Sequence, residues 1–240
     1  MDGTMTKREI IKTLLAGQLP ERVGLNEHFW PHICENAWQA QGVAPDTDFV
    51  RRFGLDIRSI SWFSAPAPRP DLVSVVEESD EWVVDRDGWG ATLKRWKHKA
   101  GTPEHVGFTV TSPGIWKWKF RDAFEALRIR DTVDLTALKA SHKQAMAGEE
   151  FVTYSSLFVF EELRKIMGDV TMLESLLLEP EWIHDFCGLV TRKYMDYFEL
   201  LFREVGLPDG LHIYEDLGYT AACFASPACH RELILPYYKK

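Results

Sequence analysis

The strongest constraint on the fold is an alternation of short apolar strands with longer amphipathic helices. The clearest helix is predicted over 180–205, where Pro180 stands at the start and Gly206 at the end. Between them apolar side chains recur every three or four residues. These side chains are Ile183, Phe186, Val190, Tyr194, Tyr197, Leu201 and Val205. The stretch LHIYEDLG, 211–218, then reads as a strand that ends in two carboxylates and a glycine. Such an alternation predicts βα units with parallel strands.

The number of strands sets the expected architecture. Strands of this type are predicted over 23–27, 56–61, 151–155 and 211–215. A (β/α)8 barrel needs eight strands and typically about 250 residues. The chain has 240 residues, so these strands use nearly all of it. We therefore expect an α/β fold of the (β/α)8 TIM-barrel type, with this chain as its N-terminal part, truncated after about the fourth strand.

A region of different character interrupts the alternation. Residues 64–72, SAPAPRPDL, are rich in proline and predict irregular structure. In EWVVDRDGWGATLKRW, 81–96, two β-prone arms flank Asp87 and Gly88, which is a hairpin signal. We expect a single domain over 1–240, with 64–150 as an insertion or lid that carries an antiparallel hairpin.

Charge and cysteine usage narrow the class of protein. The chain carries 28 Lys and Arg against 36 Asp and Glu, a net charge of −8, which argues against nucleic acid as the main partner. The cysteines are Cys34, Cys187, Cys223 and Cys229, and none forms a CxxC pair. No apolar stretch reaches the 18 residues of a membrane span, and no signal-peptide pattern opens the chain. These features predict a cytoplasmic protein with reduced thiols and no membrane partner.

The last third of the chain resembles the uroporphyrinogen decarboxylase superfamily. The resemblance rests on KIMGDVTML, on LLLEPEWIHDF and on GLPDGLHIYEDLGYTAACFASPACHRELILPYYKK. In the last of these a glycine, an aspartate, a strand, two acidic residues before Leu-Gly, a Ser-Pro pair and Pro-Tyr-Tyr-Lys follow in order. LPERVGLNEHFW is similar to the superfamily's first strand more loosely, and 64–150 matches mainly in layout.

The resemblance implies both a function and its alternatives. It implies carboxy-lyase chemistry on a tetrapyrrole, as in porphyrin biosynthesis, with a small-molecule substrate, no cofactor within this chain and a homodimer. The superfamily also contains methylcobamide:coenzyme M methyltransferases. That branch implies a corrinoid-dependent methyl transfer with zinc and cobalamin, a corrinoid protein as partner, and zinc ligands beyond residue 240. A second alternative is a non-catalytic half barrel, or a fragment that a partner chain completes.

The chain departs from the superfamily's pattern at its catalytic positions. An arginine-rich loop that grips substrate carboxylates in true decarboxylases is replaced by EHFWPHICENAW, which contains no arginine. The superfamily's catalytic aspartate has no counterpart in SISWFSAP, and its serine on a later strand corresponds to Asp216. Acidic groups at the last predicted strand are then the ones available for proton transfer.

Catalytic groups of such barrels lie at the carboxyl ends of strands, and this rule selects the candidate site. We predict Asp216 and Glu215 as the catalytic carboxylates. Substrate binding is predicted for the neighbouring side chains Glu27, His28, Trp62, Tyr154 and Tyr214. Adjacent strand residues point to opposite faces, so only a turn at Gly218 would bring both carboxylates into one pocket. The alternative is that both carboxylates cap the next segment and face water.

Two further clusters carry weaker signals. Cys223, Cys229 and His230 have a spacing that matches no standard zinc pattern, so no metal site is predicted. The run KRWKHK, 94–99, is typical of a solvated strand face, with a grip on an anionic substrate as the alternative.

Overall fold

The computed structural model describes residues 4–29, 37–99 and 101–240, so Cys34 lies outside the described residues. The chain divides into two compact units, and each is described by itself. The first unit comprises Met1–Phe63, Asp134–Ser156 and Leu201–His212, and the second comprises Ser64–Val133, Leu157–Leu200 and Ile213–Lys240.

Runs of helices and runs of strands follow one another along the chain. The α-helices are α1 (Lys7–Leu15), α2 (Phe49–Arg52), α3 (Pro113–Ile115), α4 (Asp122–Ala126), α5 (Leu135–Met146), α6 (Val159–Met167), α7 (Asp169–Leu178), α8 (Pro180–Glu204), α9 (Pro227–Cys229) and α10 (Leu235–Tyr238). The strands are β1 (Ile57–Phe63), β2 (Ser74–Glu78), β3 (Trp82–Arg86), β4 (Thr92–Trp96), β5 (Glu104–Gly107), β6 (Phe151–Ser156), β7 (Gly210–Ile213), β8 (Gly218–Tyr219) and β9 (Ala222–Cys223). Short 3-10 and π-helical segments also occur, at Gln39–Gln41, Pro70–Leu72, Trp116–Arg121, Ile129–Thr132 and His230–Ile234.

A three-stranded sheet of order β1-β6-β7 forms the centre of the first unit. β1 and β6 run parallel, and every residue of β6 is buried, as expected for the central strand of a sheet covered on both faces. β7 begins beside the start of β6, because the Asp209 amide donates to the Val152 carbonyl at 2.9 Å. The strands predicted over 56–61, 151–155 and 211–215 are thereby confirmed, with shifts of one or two residues at their ends.

The strand predicted over 23–27 is wrong. These residues are among those the structure describes, and they form no strand; Val23 and Leu25 are exposed. Two hydrogen bonds with Asp56 hold this segment, which makes none of the ladder bonds of a sheet. The Asp56 amide donates to the Leu25 carbonyl at 2.8 Å, and the Leu25 amide donates to the Asp56 carboxylate at 2.7 Å. The alternation of apolar residues predicts a buried strand, but the apolar side chains of this segment face water.

An antiparallel sheet of order β2-β3-β4-β5 lies in the second unit. The hairpin predicted around Asp87 and Gly88 is confirmed, since β3 and β4 pair from Trp82 with Trp96 to Arg86 with Thr92. The Asp87 carboxylate accepts the Trp89 and Ala91 amides at 2.9 Å each, which fixes the turn.

The core of the second unit is rich in aromatic side chains. Trp89, Trp116, Phe120 and Phe124 are at most 1% exposed, and Trp116 packs against Phe186 of α8 with ring centroids 5.0 Å apart. The stripe predicted on α8 is confirmed from Ile183 to Leu201, because its members are at most 3% exposed.

The α/β class is confirmed, with three, four and two strands in the sheets of the described residues. The TIM-barrel architecture stays a prediction. None of the helices in the described part of the chain combines the length and the apolar character that crossing a bilayer requires.

Candidate functional site

Glu215 lies two residues beyond the end of β7 and binds the first turn of α6. The Phe160 amide donates to its Oε1 at 3.1 Å, and the Glu161 amide donates to its Oε2 at 2.6 Å. The Tyr238 hydroxyl, in α10, donates to Oε1 as well. Glu215 therefore receives three hydrogen bonds from two helices.

The local sequence of α6 explains why this carboxylate is needed. Phe158, which precedes the helix, offers no side-chain oxygen, and no side-chain cap bond forms there. The first amides of a helix have no partner within it, and they favour a negative charge nearby. Glu215 supplies the cap from 55 residues further along the chain.

Burial dominates the electrostatics of Glu215. Burial raises its pKa to about 7, and the nearby Glu161 carboxylate adds to this rise. The hydrogen bonds from Tyr238 and the two α6 amides oppose the rise, because they favour the ionised form. The pKa of the Tyr238 hydroxyl is raised by its own burial and by the carboxylate beside it. Glu215 can thus hold or release a proton near neutral pH.

Asp216 contacts a different set of groups from Glu215. The Tyr214 hydroxyl donates to its Oδ1 at 2.9 Å, and Arg164 lies 3.5 Å from its Oδ2. Arg164 also binds Glu161 at 2.9 Å and Asp169 at 3.0 Å, and its guanidinium stacks 4.6 Å from the Phe224 ring. One arginine therefore neutralises part of the negative charge at this strand end.

Glu161 belongs to both sets of contacts: its amide donates to Glu215, and its carboxylate binds Arg164, which lies beside Asp216. Burial raises the pKa of the Glu161 carboxyl, Arg164 opposes this rise, and the Asp216 carboxylate reinforces it. Tyr214, Glu161, Glu215 and Asp216 thus form, with Arg164, a polar cluster at the end of β7 and the start of α6, and we call it the β7-end cluster. Within it the half-buried Glu215 is suited to proton transfer, and the exposed Asp216 is suited to charge stabilisation.

The structure gives the two predicted catalytic carboxylates different environments. The alternative in which both simply face water does not describe Glu215, which caps α6 and binds Tyr238. Neither carboxylate caps the segment that follows it among the bonds of the described residues. Their catalytic roles stay predictions.

The predicted substrate-binding residues Glu27, His28 and Trp62 lie in the first unit and are exposed. The Glu27 carboxylate accepts the His28 amide at 2.8 Å, and the His28 and Trp62 rings lie 6.2 Å apart between centroids. His28 and Trp62 are therefore neighbours that present aromatic surface to solvent.

Tyr154 has a structural environment. It is fully buried, and its hydroxyl donates to the Gly206 carbonyl at 2.8 Å. Its ring stacks on Phe202 at 6.3 Å. The hydroxyl could therefore donate to a substrate only if the Gly206 bond broke.

In the described residues, no group of three His, Cys, Asp or Glu side chains is close enough to hold a metal ion. Within 94–99, the Lys94 ammonium lies 4.4 Å from the Trp82 ring and 5.1 Å from the Trp96 ring. Lys99 lies 4.5 Å from Trp96. Arg95 and Lys97 bind Asp85 and Glu78 at 2.9 and 2.7 Å. Two of these four cationic side chains therefore bind carboxylates, and the other two lie over tryptophan rings.

Sequence reasoning missed Arg164, Glu161 and Tyr238. Their hydrogen bonds and ion pair with residues 215 and 216 join positions 23 to 54 residues apart, and no local spacing indicates such pairs. The one available signal was Phe158, a residue that cannot cap the helix it precedes.

Comparisons with family models, with curated proteins and with solved structures gave no match in any of the three.

Proposed function

We propose that this protein is an enzyme of the uroporphyrinogen decarboxylase type, which removes a carboxyl group from a tetrapyrrole, with Glu215 as its proton-transfer group. The observation that carries the proposal is the half-buried Glu215, with a pKa of about 7 at the carboxyl end of a strand. The resemblance of residues 150–240 to that superfamily gives the reaction class.

The chemistry that this reaction needs is a proton delivered to a pyrrole ring and a negative charge near the resulting cation. Protonated Glu215 would supply the ring proton, and loss of carbon dioxide would turn the cationic ring into a neutral exocyclic methylene. Addition of a proton from water to the methylene carbon would form the methyl group while the Glu215 carboxylate takes back the ring proton, so one proton from solvent replaces the carboxyl group. Asp216, held by Tyr214 and Arg164, would stabilise the cationic ring until then. No cofactor takes part in these steps. The TIM-barrel architecture belongs to the same proposal.

The corrinoid-dependent methyltransferase and the non-catalytic fragment stay alternatives. They differ from the decarboxylase in what a purified sample would do. A methyltransferase would consume a methylcorrinoid and leave the tetrapyrrole unchanged, and a non-catalytic fragment would change neither compound.

The direct experiment is to incubate the purified protein anaerobically with uroporphyrinogen and to separate the oxidised products by their number of carboxyl groups. We expect products with fewer carboxyl groups, formed in proportion to the protein added. Unchanged substrate over a range of protein concentrations, with a folded sample by circular dichroism, would contradict the proposal.

A further inference from the structure

A second group of polar side chains surrounds the carboxylate of Glu162, which is buried. Glu162 of α6 is fully buried. Its Oε1 accepts the Tyr194 hydroxyl at 2.6 Å and the Ala65 amide at 2.6 Å. Tyr194 is 1% exposed, and burial raises the pKa of its hydroxyl well above its usual value, so it remains a donor. Glu162 is thus fixed in position by two buried donors.

The second oxygen of Glu162 points to a lysine that reaches the surface. Glu162 Oε2 is buried without a hydrogen bond, and the Lys165 Nζ lies 3.6 Å from it. The Lys165 side chain is 32% exposed, and its Nζ donates to the Ser64 Oγ at 2.5 Å. Because Ser64 accepts this bond, its own hydroxyl proton is directed elsewhere. Ser64 and Lys165 are both partly exposed, and an ammonium group has three protons of which Ser64 accepts one, so the pair has donors to offer a ligand.

The protonation state of Lys165 decides whether Ser64 and Lys165 act as a nucleophile with its base or as two hydrogen-bond donors. A serine beside a lysine could form a nucleophile and its base, which requires the neutral amine. The Lys165 Nζ donates its hydrogen bond to the Ser64 Oγ, and an ammonium ion cannot accept the Ser64 proton. The pair therefore acts as two hydrogen-bond donors.

We propose that Ser64 and Lys165 form a subsite for the carboxylate of a small organic acid. The positive charge of Lys165 is balanced by Glu162, so the subsite offers two donors without excess positive charge. Glu162 repels any anion, and it repels a doubly charged phosphate more than a single carboxylate, so the arrangement favours the carboxylate. The inference goes beyond the role of Glu215 and does not depend on it.

The placement of the subsite on α6 gives it a relation to the β7-end cluster. Lys165 follows Glu161 by four residues, which corresponds to about 6 Å along the helix axis and to the same face of the helix. A multiply carboxylated substrate could therefore engage both places on one helix.

The test is a titration with acetate at constant ionic strength, followed by the amide resonances of Ala65 and Lys165 in nuclear magnetic resonance spectra. We expect saturable shifts in the wild-type protein. The dissociation constant should rise at least tenfold in Lys165→Met, and severalfold in Ser64→Ala, which keeps the Glu162 network. Inorganic phosphate should bind no more tightly than acetate.

Two control variants show whether acetate binding is specific to Ser64 and Lys165. Lys139→Met, which removes a half-exposed lysine paired with Glu204, should leave the acetate constant unchanged. Glu215→Gln should also leave it unchanged, whatever that variant does to catalysis. Absence of a saturable shift, equal acetate constants in wild type and Lys165→Met, or tighter binding of phosphate would overturn the proposal.

Discussion

Replacing Glu215 by glutamine is expected to lower the rate of tetrapyrrole decarboxylation by about 10²–10⁴-fold, the usual effect of removing a general acid. Glutamine keeps the size of the side chain and can accept one of the two α6 amides, but it has no proton to transfer. In the wild type the rate should fall as pH rises through about 7, because the proton-donating form of Glu215 is lost there. The measurement is the rate against pH for both proteins.

Two companion variants make the result specific. Glu174→Gln removes an exposed carboxylate of α7 and should leave the rate within twofold of wild type. Tyr238→Phe removes a hydrogen bond that lowers the pKa of Glu215, so the midpoint of the pH profile should move upward while both α6 amide bonds remain. A pH profile that stays unchanged in Tyr238→Phe, or full activity in Glu215→Gln, would remove Glu215 from the mechanism.

Replacing Arg22 by methionine is expected to lower the free energy of unfolding by clearly more than the loss of an exposed ion pair does, because it leaves a buried carboxylate without its ion partner. Asp56 is fully buried, and Arg22 binds both of its oxygens at 2.7 Å each. This hydrogen-bonded arginine is the main cause of the lowered pKa of Asp56. The stabilisation should accordingly be present at neutral pH and be lost as pH falls through the lowered pKa. Urea unfolding at neutral pH measures the cost.

A surface pair provides the control for this prediction. Arg95 binds Asp85 at 2.9 Å, but both side chains are substantially exposed, so Arg95→Met should cost at most about 1 kcal/mol. Asp56→Asn should cost less than Arg22→Met, because Arg22 is 39% exposed and can turn to water. Equal costs for Arg22→Met and Arg95→Met would contradict the structural role of the buried pair.

Elements with strong periodicity could be predicted from the sequence. The apolar stripe from Ile183 to Leu201 has one physical solution, an amphipathic helix with that face buried. The hairpin loop is set by the Asp87 carboxylate, which accepts the Trp89 and Ala91 amides, and by Gly90, whose φ of 77° favours glycine. In both cases the cause is local, so a single sequence contains it.

Residues 23–27 show where this reasoning ends. Val23 and Leu25 have the alternation of a strand, yet a strand also needs a neighbour with free backbone groups. Asp56 offers a side chain instead, and one carboxylate organises the segment through Arg22 and Leu25. The neighbour with which a strand pairs depends on the tertiary structure, which the periodicity of the sequence does not encode.

The candidate site divides in the same way. The position of Glu215 and Asp216 beyond a strand follows from sequence, since the two residues end an apolar run before Gly218. Their surroundings do not, because Phe160, Arg164 and Tyr238 reach them from other elements. Ser64 and Lys165 are 101 residues apart, and only the folded chain brings them together.

The most direct test of the proposed proton transfer is the titration of Glu215 itself. Carbon-13 spectra of the glutamate side-chain carboxyls, assigned by comparison with Glu215→Gln, would follow its protonation between pH 4 and 9. We predict a midpoint near 7, with the Phe160 and Glu161 amide resonances moving over the same range. A midpoint at or below the ordinary glutamate value of about 4.3 would show that Glu215 is only a cap for α6, and the proposed proton transfer would fall with it.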